Sequence, residues 1–352
     1  MAMTGPWLLY GANGYTGELV ARLAQARGHR PVLAGRRAAE VCALADELGL
    51  GRRLFGLEEP ARVDDAVSGM SLVLHCAGPF SHTARPMAEA CLRTRTHYLD
   101  ITGEVGVFED LAARAVEARA AAVMLLPGCG FEVVPSDCLA VHLKGRLPGA
   151  RRLALAYAAT GGVSRGTAIT AIEGLGGGGM VRRGGVLAPV PSAWKTRRID
   201  FGDGPRAAIT IPLGDLTTAW QSTGIPDVET YFAASPGLRA LAVAERYAEP
   251  LLGSPAVRRF LAARVHSRAR GPSEGERRRG RGFVWGEVED DAGGRATSRL
   301  ATPDGYTLTA QAALAAVERA LAGQVQPGFQ TPGKVFGPDF VLGLEGVTRT
   351  DL

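Results

Sequence analysis

Trp7-Leu8-Leu9-Tyr10-Gly11-Ala12-Asn13-Gly14-Tyr15-Thr16-Gly17 is the stretch whose reading decides the fold. Four apolar residues with strand character run into three glycines spaced three apart. A helical pattern follows through Leu19, Val20, Leu23 and Ala24. Strand, glycine turn and helix in that order are the context a dinucleotide fingerprint requires. Gly11 lets the chain leave the strand sharply. Gly14 removes a side chain where a pyrophosphate must approach the backbone, and Gly17 lets the helix pack close. The N–H groups and dipole of the helix start then hold the anion. Gly11, Asn13, Gly14, Tyr15, Thr16 and Gly17 are therefore expected to line a phosphate site. The GxxGxxG spacing is one residue longer than GxGxxG, and a structural turn is the bland alternative.

Working outward, the apolar run 31–35 reads as a second parallel strand. An Asp or Glu at its end would accept a hydrogen bond from a ribose 2′-OH. Here the chain has Gly35-Arg36-Arg37 instead. The planar donor fork of arginine suits a phosphate. This predicts an NADP(H) site with Arg36, and with it Arg37, on the 2′-phosphate; a solvated arginine pair opening a helix is the alternative. Helical spacing over 38–48, a strand at 54–57, a helix over 60–68 and a strand at 72–76 continue the alternation. Ligands in open α/β sheets sit beyond the carboxyl ends of strands. Cys76, Ala77, Gly78, Pro79 and Phe80 are thus expected near the nicotinamide ribose. His75, among apolar neighbours, reads as core, and His82 is a weak candidate for chemistry.

A helix over 85–92 leads to His97-Tyr98-Leu99-Asp100-Ile101-Thr102-Gly103-Glu104, a strand ending in polar residues at the same edge. Thr102, Gly103 and Glu104 are expected on the cofactor, with Asp100 and Tyr98 either there or bracing a domain junction. A helix over 107–120 and a strand over 122–126 come next. Pro127-Gly128-Cys129-Gly130-Phe131-Glu132-Val133-Val134-Pro135-Ser136-Asp137 then frames a rigid loop before a helix at 138–143. Asp137, Ser136 and Cys129 are the catalytic candidates. The bland role of Ser136 or Asp137 is to cap that helix.

The alternation stops near Gly145. Longer β-like runs at 152–160, 206–213 and 283–288 point to a second, α+β domain built on a mostly antiparallel sheet. Ser164-Arg165-Gly166-Thr167 can start a helix running to about Leu175. Gly176 to Gly179 then form a lid or a plain loop. Residues 264–281 carry Arg264, Arg268, Arg270, Arg277, Arg278, Arg279 and Arg281 against Glu274 and Glu276. Such a run is a solvated segment or a dock for an acidic partner or a ligand phosphate. Aromatic residues do not interleave it, which argues against nucleic acid. A helix over 306–321 and a turn-rich loop through Thr331-Pro332-Gly333 close the chain.

The expected organisation is therefore α/β: a doubly wound parallel-sheet domain over 1–130, an α+β substrate or dimerisation domain over 131–304, and a C-terminal helix and loop over 305–352 returning to the first. The 352 residues suit two domains. A net charge of +5 is too small to imply nucleic acid. Cys42, Cys76, Cys91, Cys129 and Cys138 are scattered, which predicts reduced thiols in the cytoplasm and no metal site. No apolar run approaches the roughly 20 residues of a membrane span.

Taken together, Gly11 to Gly17, Gly78-Pro79-Phe80, Tyr98 to Glu104 and Gly130 to Asp137 resemble the saccharopine dehydrogenase-like superfamily. Gly214-Asp215, Ser222-Thr223-Gly224-Ile225-Pro226, Gly305-Tyr306 and Thr331-Pro332 extend the resemblance along the chain. The branch it is most similar to is the bacterial trans-acting enoyl reductases of polyketide and lipid assembly. The resemblance implies a Rossmann domain, an inserted α+β domain, a returning C-terminal helix and NADP(H). It departs from related folds after the third strand, where Leu57 precedes Glu58 and the acid near adenine is displaced. The activity implied is NADPH-dependent reduction of an enoyl thioester, with a small-molecule or carrier-bound acyl substrate, an acidic acyl carrier protein as partner and a homodimer as assembly. Two alternatives stay open. One is an imine reductase forming a secondary amine, with Arg165, Arg182 and Arg183 available for substrate carboxylates. The other is a non-catalytic NADP sensor.

Overall fold

A computed structural model describes residues 5–237, 239–240, 242–243, 254–266 and 270–352. In chain order the elements begin β1 (Trp7–Tyr10), α1 (Tyr15–Ala26), β2 (Val32–Gly35), α2 (Ala38–Leu48), β3 (Arg52–Leu54), α3 (Pro60–Val67), β4 (Leu72–His75), α4 (Phe80–Thr94), β5 (His97–Asp100), α5 (Val105–Ala113), α6 (Ala115–Ala120) and β6 (Met124–Leu126). They continue with α7 (Val134–Arg146), β7 (Arg152–Thr160), α8 (Arg165–Glu173), β8 (Gly179–Arg183), β9 (Val186–Val190), β10 (Thr196–Asp200), β11 (Pro205–Thr210), α9 (Asp215–Thr223) and β12 (Asp227–Ala233). The last are α10 (Pro255–His266), α11 (Glu274–Arg279), β13 (Arg281–Glu289), β14 (Arg295–Pro303), α12 (Gly305–Leu321), β15 (Gly328–Phe329), α13 (Pro332–Phe336) and β16 (Thr348–Asp351). The chain forms two compact units. The first holds Met1–Val134 and Tyr306–Glu345; the second holds Pro135–Gly305 and Gly346–Leu352.

The first unit is a parallel sheet in the order β15-β6-β5-β4-β1-β2-β3. Strand order reverses between β1 and β4, the switch point beside which doubly wound sheets bind ligands. Every residue of β1 and β4 is buried. That is why both read as continuous apolar runs: helices cover both faces of such a sheet. The core gathers Leu8, Tyr10, Val73, Met87, Tyr98, Phe108 and Leu125.

The helix read over 107–120 is two, α5 and α6, and three further boundaries differ from the sequence reading for non-local reasons. The third strand is Arg52–Leu54 rather than 54–57. As an edge strand it needs no apolar run, and Arg53 is held by the carbonyls of Ala66 and Ser68. Phe55 instead packs its ring 5.0 Å from that of Tyr10. Helix α4 starts at Phe80, not 85, because the Glu104 carboxylate, 24 residues away, accepts the Phe80 amide at 2.9 Å and the Ser81 amide at 2.8 Å. Helix α7 starts at Val134, not 138, so Ser136 and Asp137 lie inside its first turn and neither is its N-cap. The helical turn is opened by Gly130, whose carbonyl accepts the Val133 and Val134 amides at 3.2 and 2.9 Å.

The second unit is a mixed sheet in the order β10-β11-β12-β7-β13-β14-β16, with the β8–β9 hairpin pairing on β12. The β12–β7 pair is parallel and the rest antiparallel. Ala154, Ala156 and Ala158 of β7 alternate onto one face against Trp285 and Tyr231. Residues 346–352 join this unit through β16, which pairs with β14. The 305–352 segment therefore divides instead of returning whole to the first unit. Ser164 caps α8 as read, accepting the Thr167 amide. The basic run resolves into the end of α10, the short α11 with a Ser273–Glu276 capping box, and the start of β13. Arg268 lies outside the described residues. Among the described residues no helix is long and apolar enough to cross a membrane.

Candidate functional site: the carboxyl edge of the parallel sheet

The turn after β1 is closed by its own backbone. The Gly11 and Ala12 amides donate to the Ala34 carbonyl at 2.8 and 3.2 Å, and the Gly14 amide donates to Gly11 at 2.9 Å. Gly11 sits at φ +78°, and a Cβ there would lie 2.8 Å from Ala77 Cβ. A Cβ on Gly17 would overlap the Gly11 carbonyl oxygen and lie 3.0 Å from Ala12 Cα. Both glycines are thus demanded by backbone approach. Gly14 is the N-cap of α1 and makes no side-chain cap bond, so Tyr15 and Thr16 begin a helix whose first N–H groups are not covered by a capping side chain. This cradle fits an anionic pyrophosphate. Tyr15 packs edge-on against Tyr306 at 5.1 Å.

The two arginines after β2 separate in role. Arg37 pairs with Glu40 at 3.1 Å, and Asn13 donates to the same carboxylate at 2.7 Å. Arg36 is exposed and makes no hydrogen bond or ion pair among the described residues. It is close enough to the Tyr10 phenol to be felt there. Burial, then the Glu58 charge, raise that phenol to about 12, with Arg36 opposing. Glu58 therefore stands at the same end of the sheet as Arg36.

Beyond β4, the Cys76 amide donates to Tyr10 at 2.8 Å. Burial pushes the Cys76 thiol up, with the Asp100 charge adding to it. Thr83 ties the Cys76–Phe80 loop to α4, donating to the carbonyls of Ala77 (2.6 Å) and Pro79 (3.0 Å). Its hydroxyl also meets His75 Nε2 at 3.0 Å. Burial lowers His75 to about 3, so the ring is a neutral core group, as read.

At the end of β5, Asp100 is fully buried and organises two loops. Its Oδ1 accepts the amides of Thr102 and Gly128, both at 2.9 Å, and its Oδ2 accepts the Tyr98 hydroxyl at 2.7 Å. Burial pushes its carboxyl up to about 6 against those donors, and Glu104 adds to the rise. Asp100 and Tyr98 therefore brace the edge. The Thr102 hydroxyl accepts the Glu104 amide at 3.1 Å. Glu104 itself caps α4, which the sequence did not suggest. Cys129 donates its amide to the Asp100 carbonyl at 2.7 Å, and burial holds its thiol well above its usual range, so it stays a neutral thiol.

Ser136 and Asp137 belong to the second unit, Cys129 to the first. Ser136 donates to Asp215 Oδ1, and Tyr157 donates to Asp215 Oδ2 at 2.6 Å, in a buried cluster joining α7, β7 and α9. Of the arginines available for a substrate carboxylate, Arg182 is buried and donates to the carbonyls of Leu216 and Gly185. Arg183 lies over the Trp194 ring at 4.5 Å.

One group escaped sequence reading although it lies in the loop singled out. Glu132 lays its carboxyl against Gly103; a Cβ on that glycine would overlap all three carboxyl atoms. The side chain keeps some exposure while its carboxyl is desolvated. Burial, then the Glu104 charge, push it up to about 7. The signal available in the sequence was an acid beyond β6, at the edge where ligands bind.

A sheet of order 3-2-1-4-5-6 with a glycine cradle at its switch point is a dinucleotide-binding domain. Residues 7–126 match the family model described as the saccharopine dehydrogenase NADP-binding domain. Trans-acting enoyl reductases of Mycobacterium ulcerans and Mycobacterium leprae are 32% and 31% identical over 40% of this chain and 35% of their own. A saccharopine dehydrogenase-like oxidoreductase of Mus musculus is 26% identical over 40% of this chain and 38% of its own. The matched region thus spans little more than a third of these relatives. Saccharopine dehydrogenase (L-Glu forming) from Saccharomyces cerevisiae shares the fold, with a TM-score of 0.67 over 99% of this chain and 100% of that one, at 13% identity. Residues 7–126, within the first unit, thus carry an NADP(H)-binding domain of the saccharopine dehydrogenase type.

Proposed function

We propose that this protein is an NADPH-dependent oxidoreductase that reduces the carbon–carbon double bond of an enoyl thioester. The observation that supports it best is the identity of up to 32%, over 40% of this chain, with trans-acting enoyl reductases. The bound cofactor supplies a hydride. The chain's part is to hold, orient and polarise. In this reading Gly11, Asn13, Gly14, Tyr15, Thr16 and Gly17 cradle the pyrophosphate. Arg36 takes the 2′-phosphate, with Arg37 held back by Glu40. Cys76 to Phe80 and Thr102 to Glu104 flank the nicotinamide side. N–H and hydroxyl donors of the 128–137 stretch stabilise charge on the thioester oxygen, with Ser136 and Asp137 on the acceptor side. The arginines of α11 and β13 form the surface we assign to an acidic acyl carrier.

Absorbance-followed NADPH oxidation against two substrate panels tests the reaction. One panel is 2-enoyl thioesters on pantetheine, coenzyme A and a carrier protein. The other is 2-oxo acids and aldehydes paired with amino acids. Turnover in the first alone is the expected result. Turnover in the second alone moves the protein to amine formation, and silence in both with NADPH bound overturns the reductase reading. The cofactor assignment has its own test. Arg36→Ala is expected to raise the NADPH Kd roughly 10- to 100-fold, the loss of one charge-assisted contact. NADH binding should hardly change, and Arg37→Ala should change neither. Equal losses for both cofactors would remove Arg36 from the 2′-phosphate.

A further inference from the structure

Two carboxyl groups meet at the carboxyl edge of the parallel sheet, and their surroundings set them apart. Glu104 is the fixed one. Both of its oxygens accept amide hydrogens at the start of α4, at 2.9 and 2.8 Å, where the helix dipole also favours a negative charge. Glu132 reaches the same place from the loop beyond β6, and its carboxyl lies flat on Gly103, the residue before Glu104. Two neighbouring carboxyls whose environments differ divide the work of acid and base between them. Both oxygens of Glu104 are occupied as acceptors of backbone amides, whereas burial raises the Glu132 carboxyl. Only glycine at 103 leaves room for that carboxyl.

We propose that Glu132 is the proton donor of the reduction, a role that rests on the reductase reading above. In that step the double bond gains a hydride at its β-carbon, and NADPH is oxidised to NADP+. The electron pair of the resulting enolate forms a C–H bond at the α-carbon with the Glu132 proton. The O–H bond of Glu132 breaks, and its carboxylate takes a proton back from water along its exposed side. The side chain holds its proton up to about pH 7, first because its carboxyl is buried and then because of Glu104. The titratable groups that bear on this edge are Glu104 on the β5–α5 connection, Asp100 at the end of β5, which feels the same Glu104 charge, and the neutral Cys129.

The test combines a titration that needs no substrate with a pH profile. Carbon-13 NMR of glutamate carboxyls in the intact protein should show one group with a midpoint near 7. It should vanish in Glu132→Gln and move down in Glu104→Gln. With a 2-enoyl thioester, kcat of the parent should fall as pH rises through that midpoint. In Glu132→Gln, kcat should drop by roughly 100-fold or more and lose this limb, while the NADPH Kd stays within about threefold of the parent. Gly103→Ala gives a second route that leaves the acid in place. Its Cβ meets only the far end of a flexible side chain, so the fold survives while the carboxyl is displaced. The expected result is a kcat lower by about tenfold or more and a lower carboxyl midpoint. Thioester turnover by Glu132→Gln with an unchanged pH limb overturns the role of Glu132 alone, as does the absence of a high-midpoint carboxyl. Absence of turnover by the parent on every 2-enoyl thioester overturns the reductase reading and this role with it.

Discussion

Asp100→Ala is expected to lower stability by about 3–5 kcal/mol, and Asp100→Asn by only about 1. The difference follows from what the carboxylate holds. Alanine abandons three buried donors at once: the Tyr98 hydroxyl and the amides of Thr102 and Gly128. An unpaired buried donor costs about 1–3 kcal/mol, and partial relaxation keeps the sum below the simple total. Asparagine keeps Oδ1 for the two amides, and its NH2 can donate to the Tyr98 oxygen after the phenol turns its hydrogen away. The pair also differs in pH dependence. The Asp100 carboxyl is pushed up to about 6 in the folded protein, against an ordinary 3.8. A raised carboxyl contributes stability that is fully present below the unfolded value and is lost as pH rises through the folded one. The parent should therefore lose stability on the order of 3 kcal/mol relative to Asp100→Asn between about pH 4 and 6. Urea unfolding of the three proteins at pH 4.5 and 7.5 measures it. Equal midpoints for parent and Asp100→Ala would show that the carboxylate braces nothing.

The same site shows what a sequence can carry. The glycine turn, the buried strands β1, β2, β4, β5 and β6 and the helix over 306–321 were legible because each is a local matter. A strand buried on both faces reads as a near-continuous apolar run, and a position where a Cβ would fall within 3 Å of neighbouring backbone must be glycine. Arg36 was legible as a phosphate reader, but its separation from Arg37 was not. That separation depends on Glu40, which swings the second guanidinium into a pair and leaves the first out of it. The starts of α4 and α7 were placed late because their true openings are set by remote groups. Pro86 resembles a helix-opening proline, and nothing near it announces that Glu104 caps a turn six residues earlier. Asp137 resembled a cap for the same reason.

Chemistry proved less legible than architecture. Asp215 entered the reading only through the resemblance, yet it holds Ser136 from 79 residues away and Tyr157 from 58. A carboxylate's partners, when they lie on two other elements far along the chain, leave no periodic trace. Glu132 was passed over although it sits in the loop chosen for scrutiny. Its property comes from burial and from Glu104, and neither is a property of its own neighbours in sequence. The β8–β9 hairpin and β16 were missed because each strand is only four or five residues long and β9 and β16 lie outside the core, so their composition carries little pattern.

Gly17→Ala should have the largest effect on cofactor binding of any single methyl added to this chain. The new Cβ would overlap the Gly11 carbonyl oxygen and lie 2.9 Å from its carbon and 3.0 Å from Ala12 Cα. All three are backbone atoms, and the turn that holds them is itself fixed by hydrogen bonds from the Gly11 and Ala12 amides to the Ala34 carbonyl. No side chain can yield, so α1 must move away from the turn. Overpacking of this kind costs about 1–3 kcal/mol of stability. The functional cost is separate. The N–H groups that would meet the pyrophosphate sit on the two parts being pushed asunder, and each charge-assisted bond lost weakens binding by about 1.5–3 kcal/mol, or roughly 10- to 100-fold in Kd. Gly28→Ala is the control. Gly28 follows the same helix at φ +82°, with nothing within 4 Å of a new Cβ. Alanine there costs about 1 kcal/mol of backbone strain and should leave the NADPH Kd alone. Fluorescence titration with NADPH, read beside the thermal midpoint of each variant, separates the two effects. If Gly17→Ala binds NADPH as the parent does, the cradle between Gly11 and Gly17 is a structural turn, and the phosphates lie elsewhere.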